Sequence, residues 1–246
     1  MFPRSSTLFH FTKNMDVLFS ILKDGFWPRY CLEDIQWQGH KELEFVAFPM
    51  VCFCDIPLGR IAEHVGFYGS FGIGLTKDWG AKNNLNPVSY YSGDNPVHKA
   101  IKSLSSVVGG LQDENAKEAG LRNVRYLLAY AKPTTGRMIV SGEPVVKEFY
   151  QESEWRFVPQ HNDIPDYLNY QTFMSPERVK ECNDLTSILC RLRFLPTDIR
   201  YIFVPTDADI PPIMNFIQTE LDKYPSSDLK VLMSRVTSLE SVSRDV

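Results

Sequence analysis

No stretch of this 246-residue sequence approaches the roughly 20 consecutive apolar residues of a membrane-spanning helix, so no membrane association is expected. The opening Met1-Phe2-Pro3-Arg4-Ser5-Ser6 has no long apolar core, and a secretory leader is not expected either. Cysteine is scarce: five residues, an odd number at irregular spacing. That excludes a disulfide framework and points to a reduced, cytoplasmic setting. Cys52 and Cys54 form a lone C-x-C in an apolar run. Without a second Cys/His pair it reads as buried thiols, and no metal is expected. The glycines between Gly66 and Gly74 fit neither a Walker loop nor G-x-G-x-x-G, so they make no case for a phosphate cradle. Excess positive charge is missing as well. A net charge of −4 argues against a broadly basic nucleic-acid coat. There is no internal repeat and no low-complexity segment.

What is present is an ordinary globular composition, 43% apolar and 23% charged, with a generous 13% of aromatics. The length allows a substantial core, and residues 1–246 read as a single domain.

Leu8-Phe9-His10-Phe11-Thr12 alternates as a short strand, with Leu8 and His10 on one face and Phe9 and Phe11 on the other. Asn14 then caps a helix through Val17, Leu18, Ile21 and Leu22 that Gly25 ends. Residues 31–48 are hard to read. Pro49 to Pro57 is a continuous apolar run that fits a buried strand stopping at Asp55. A short helix with His64 follows, then a glycine-spaced turn containing Tyr68 and a further strand. The pattern is helical from about 97 to 132, with breaks at Gly109-Gly110 and Gly120. Ser175-Pro176-Glu177 opens another helix. Residues 198–205 read as a strand, 206–224 as an amphipathic helix, and Leu229-Lys230-Val231-Leu232-Met233 as a last strand.

The stretch Phe149-Tyr150-Gln151-Glu152-Ser153-Glu154-Trp155-Arg156-Phe157-Val158 stands out. As a strand it puts Glu152, Glu154 and Arg156 on one face, because side chains alternate with period 2. Two readings stand: a solvated face with a weak ion pair, or a cleft that uses a carboxylate. His40, His64, His98 and His161 are scattered and read as surface or structural. Trp27, Trp37, Trp79 and Trp155 read as packing.

His10, then the run around Phe53 with Tyr68 after it, then Glu152 and Glu154 follow one another in the order of the three motifs of the ADP-ribosyltransferase superfamily. Leu8–Thr12 with its following helix resembles the toxin branch typified by DarT. The sequence is similar, through Leu8–Tyr30, Pro49–Pro57, Tyr68–Trp79, Asn86–Tyr90 and Glu152–Arg156, to the abortive phage infection family AbiGi. Members of that family are commonly labelled the antitoxin half of a phage-defence pair. The superfamily resemblance implies NAD as substrate. His10, with Thr12 beside it, would meet the adenosine-side ribose, and Phe53 or Tyr68 would stack on nicotinamide. Glu154 would stabilise the charge that builds on the ribose, and Glu152 would orient or deprotonate the nucleophile.

The expected fold is therefore α+β: an ADP-ribosyltransferase-like split, mostly antiparallel sheet. A helical insertion is expected at about 97–132 and a strand-helix-strand addition at about 175–246. The expected function is a toxin-type ADP-ribosyltransferase of anti-phage defence. Its acceptor would be RNA, DNA or protein, with Arg122, Arg125, Lys132 and Arg137 as a local groove for a nucleic-acid strand. The alternative is a non-catalytic antitoxin that binds a cognate partner.

Overall fold

The computed structural model describes residues 5–38, 44–93, 95–140 and 143–244. The chain forms two compact units. One is made of Met1–Phe26, Cys52–Leu85 and Leu192–Val246, the other of Trp27–Val51 and Asn86–Arg191.

In the first unit, strand Thr7–Thr12 pairs antiparallel with Phe71–Thr76, from Thr7 opposite Thr76 to Thr12 opposite Phe71. Its other edge meets the end of strand Phe45–Cys54, with Phe9 opposite Cys54. Strand Ile199–Val204 runs antiparallel to Phe71–Thr76, with a register shift between Ile199 and Tyr201. Val236–Ser238 pairs with Ile199–Val204 in parallel. The alternation read from sequence holds here. Phe9 and Phe11 pack with Ile56, Ile61 and Phe203, while the His10 ring meets Phe26 and Phe53 from the opposite face. Helix Met15–Asp24 begins where Asn14 Oδ1 accepts from Val17 N at 3.0 Å, and Gly25, at φ 82°, donates to Ile21 O. That helix packs on Ile210–Glu220 through stacked rings of Phe19 and Phe216, 4.2 Å apart.

Leu229 to Met233 is not a strand. It lies in helix Ser226–Met233, with Leu229 and Leu232 buried one turn apart. Pro225-Ser226-Ser227-Asp228 just ahead is a helix-start signal that outweighs the apolar run. The last strand of the strand-helix-strand order is Val236–Ser238 instead.

The second unit contains what composition left unread. Arg29–Asp34 pairs antiparallel with Phe45–Cys54, from Arg29 opposite Met50 to Asp34 opposite Phe45. Leu168–Asn169 pairs with the same strand at Ala47 and Val46. Thr135–Val140 and Glu143–Glu148 pair antiparallel, and Ser89–Tyr91 pairs with Ala131–Pro133 in parallel. Helices Pro96–Gly109 and Glu114–Ala129 occupy the stretch read as helical, and Pro176–Leu189 begins at the expected proline. Ser175 Oγ, however, bonds Glu177 Oε2 rather than a backbone N–H. The fold class is α+β with mostly antiparallel pairing. Among the described residues no helix is long and apolar enough to cross a membrane.

Candidate functional site: a buried charge cluster

The stretch Phe149–Val158 is not one strand. Phe149–Glu152 is a 3-10 turn, Ser153 takes the left-handed conformation at φ 44°, and the strand is Glu154–Phe157. Ser153 is a non-glycine residue in that region, which costs energy, and it separates the turn from the strand. Glu152 therefore comes from the turn, while Glu154 and Arg156 share a strand face by alternation. That face is buried. Arg156 is wholly enclosed, so the reading of a solvated strand face is wrong.

Each charge has specific partners. Arg156 Nε and Nη2 reach Glu154 Oε1 and Oε2 at 2.7 and 3.1 Å, a two-point grip. Arg156 Nη2 also meets Glu33 Oε1 at 3.0 Å, and Nη1 donates to Ala129 O at 2.6 Å. Lys132 Nζ bridges Glu154 Oε2 at 2.8 Å and Glu152 Oε2 at 3.3 Å. Lys147 Nζ meets Glu152 Oε1 at 2.5 Å. Three carboxylates thus face three cations, and burial is compensated locally. Burial works against the Lys132 charge, but Glu154, Glu33 and Glu152 outweigh it and hold the ammonium above its ordinary value. The Lys132 ammonium also sits 4.2 Å from the centre of the Phe149 ring. Tyr90 Oη accepts the Glu154 backbone N–H at 2.8 Å; burial, then the Glu154 charge, keeps that phenol well above its usual range.

The residues assigned by the resemblance are placed as follows. His10 lies in the first unit, with Nδ1 2.8 Å from Cys52 O and its ring 5.7 Å from Phe53. A carbonyl can only accept, so Nδ1 carries the hydrogen. Burial lowers the His10 pKa from 6.5, against a smaller opposing effect of the Cys52 carbonyl. Phe53 is buried among Phe26 and Trp79. Tyr68 stacks on His64 at 4.4 Å and packs against the Phe9–Phe11 face, opposite to His10. The structure therefore brings Phe53, not Tyr68, to His10. Thr12 ends its strand opposite Phe71. Glu152 and Glu154 are brought together through Lys132, in the second unit.

The four cations read as a nucleic-acid groove are engaged with the protein itself. Arg122 donates to His161 O and Asn162 Oδ1 at 2.8 and 3.0 Å. Arg125 pairs with Asp166 and Glu118, and Arg137 with Asp34. Lys132 belongs to the buried cluster. Carboxylates thus offset the charges of Arg125, Lys132 and Arg137, while Arg122 is held by a carbonyl and a side-chain amide. His98 is buried against Trp37, and His40 lies outside the described residues. Trp79 donates Nε1–H to Arg193 O and packs in the core. Among the described residues no group of His, Cys, Asp and Glu is placed to hold a metal ion.

Sequence reasoning missed Glu33, Lys147 and Tyr90 and misassigned Lys132. Glu33 lies 123 residues from Arg156, in the segment that resisted reading. The one usable signal was local: a strand pattern that buries two acids and an arginine demands further cations nearby.

Fold and site define an α+β protein with a buried, self-neutralised charge cluster. The family described as "Putative abortive phage resistance protein AbiGi, antitoxin" matches residues 24–205, and the chain belongs to that family. A relative from Lactococcus lactis subsp. cremoris, "Abortive phage resistance protein AbiGi", is 27% identical over 249 residues, covering 90% of this chain and 99% of that protein. No solved structure matches the chain. The family description overturns the expectation of a toxin-type ADP-ribosyltransferase, because it places the family on the antitoxin side. The carboxylates on which that expectation leaned are occupied with Lys132, Lys147 and Arg156.

Proposed function

We propose that this protein is the antitoxin component of an abortive-infection pair and acts by binding a protein partner, not by turning over a substrate. The observation that carries the reading is the family match over residues 24–205, with its antitoxin description. The charge cluster is consistent with it. Glu152, Glu154 and Arg156 neutralise one another and their lysines inside the unit, which is the arrangement of a structural core. The acidic net charge and the pairing of Arg125 and Arg137 with carboxylates favour a protein partner over a nucleic acid.

The test is genetic. Each open reading frame beside this gene is expressed alone and then together with the full chain. One product is expected to arrest growth by itself, and the chain is expected to lift the arrest. If no neighbouring product is toxic, or if the arrest persists with the chain present, the antitoxin reading falls.

A further inference from the structure

Strand Ile199–Val204 is irregular at its start. Ile199 stands opposite Leu75 and Tyr201 opposite Gly74, so Arg200 is an extra residue with no partner on Phe71–Thr76. Such a β-bulge re-aims a side chain, and bulges are frequent beside binding sites. Arg200 is exposed there.

On the other edge of the same strand runs Val236–Ser238, and the carbonyl of Arg235, just before it, accepts the Ile202 N–H at 2.9 Å. The Arg235 side chain reaches back toward the bulge. Its Nη1 donates to the carbonyl of Ile199, the residue before Arg200, and to Pro196 O at 3.4 Å. Two carbonyls thus fix this half-buried guanidinium beside Arg200. Burial, and then the charge of Arg200, hold it below its ordinary pKa.

Two like charges in one place call for an anion, and the chain supplies none. Arg125, Arg137 and Arg156 each hold a carboxylate. Among the described residues, neither Arg200 nor Arg235 is paired with one. Asp198, the acid nearest to Arg200 in sequence, instead turns its Oδ2 to the Leu195 N–H at 2.8 Å. A guanidinium carries five N–H groups. The two carbonyls occupy Nη1 of Arg235 and leave Nε and Nη2, the same edge with which Arg156 grips Glu154.

The count of donors and charges selects the ligand. A carboxylate or a phosphodiester offers two free oxygens and one charge, which one such edge consumes. A phosphate monoester offers three terminal oxygens and roughly two charges near neutral pH. Two of its oxygens meet the Arg235 edge, and the third and the second charge are left for Arg200.

We propose that Arg200 and Arg235 form a binding site for a phosphate group, free or as the monoester of a small molecule. The site lies in the first unit and the charge cluster in the second, and the proposal does not rest on the antitoxin reading.

The test is calorimetric titration of the full chain, at fixed ionic strength, with inorganic phosphate, methyl phosphate, dimethyl phosphate and acetate. Inorganic phosphate or methyl phosphate is expected to bind at one site, and dimethyl phosphate and acetate at least about tenfold more weakly. Arg200→Gln is expected to weaken phosphate binding at least about tenfold at an unchanged melting temperature, because Arg200 is exposed. Arg235→Lys keeps the charge but loses the planar edge and is expected to weaken it as much. Arg178→Gln removes the same charge from helix Pro176–Leu189 and is expected to bind as wild type does. Inorganic phosphate bound with methyl phosphate rejected supports the site and names free phosphate as its ligand; methyl phosphate bound as well or better supports it and names the monoester. No binding of either up to about 10 mM overturns the proposal. So does acetate or dimethyl phosphate bound as well as phosphate. Phosphate binding that Arg200→Gln leaves unchanged means an adventitious ion only and overturns it too. Should either arginine substitution lower the melting temperature, the four-ligand series on wild type decides.

Discussion

Arg156 holds Glu154, two residues before it on the same strand, through Nε to Oε1 at 2.7 Å and Nη2 to Oε2 at 3.1 Å, with the guanidinium wholly buried. An i, i+2 pair shares a strand face, so the two side chains meet without bending the backbone. The pair is stable there because Glu33 and the Ala129 carbonyl take further N–H groups of Arg156 and Lys132 pairs with Glu154. Removing one member leaves a buried charge uncompensated.

Glu154→Gln keeps the shape and removes that compensation for Arg156 and Lys132. The expected loss is about 3–5 kcal/mol of unfolding free energy, read by urea denaturation. An unchanged midpoint would mean that the cluster contributes nothing to stability.

Phe53 and Tyr68 differ in what surrounds them, and the difference is measurable. Phe53→Ala opens a cavity beside Phe26 and Trp79 and is expected to cost about 3–5 kcal/mol. Tyr68→Ala, at a partly buried position against His64, is expected to cost clearly less. Equal losses in parallel denaturation curves would contradict the packing described.

Gly69 has φ 116°, and a Cβ there would lie 2.2 Å from Thr12 O. Backbone atoms cannot step aside cheaply, so Gly69→Ala is expected to cost upwards of about 3 kcal/mol. Gly93, at φ 57° with open space around it, is the contrast: Gly93→Ala is expected to cost only about 1 kcal/mol. Thermal melts of the two variants decide the point.

His10 links stability to pH. Its folded pKa lies below 6.5, so between the folded value and 6.5 the unfolded chain binds more protons. The His10 contribution is fully present above pH 6.5 and is lost as pH falls below it. Unfolding free energies measured at pH 7.5 and 5.0 should therefore differ more in wild type than in His10→Gln. An imidazole that titrates at or above 6.5 by NMR would refute the assignment.

Much of the local structure was legible. Asn14 and Gly25 bracket their helix because a capping amide and a positive-φ glycine act within a few residues. Phe9 and Phe11 part from Leu8 and His10 because strand alternation is built into the backbone. Where local signals conflicted, as at Leu229–Met233, the capping stretch before it won over the apolar run.

The sequence by itself determined the fold class, the positions of most helices and strands, and membership of the family, all of which rest on short-range patterns. Only the tertiary structure decided what the charges do. Lys132, Lys147 and Glu33 reach Glu152, Glu154 and Arg156 from separate strands, and no spacing along the chain encodes those meetings. It also separated Tyr68 from His10. The reason is physical: caps and alternation act between neighbours in sequence, whereas ion pairs and packing act between neighbours in space, which folding alone selects.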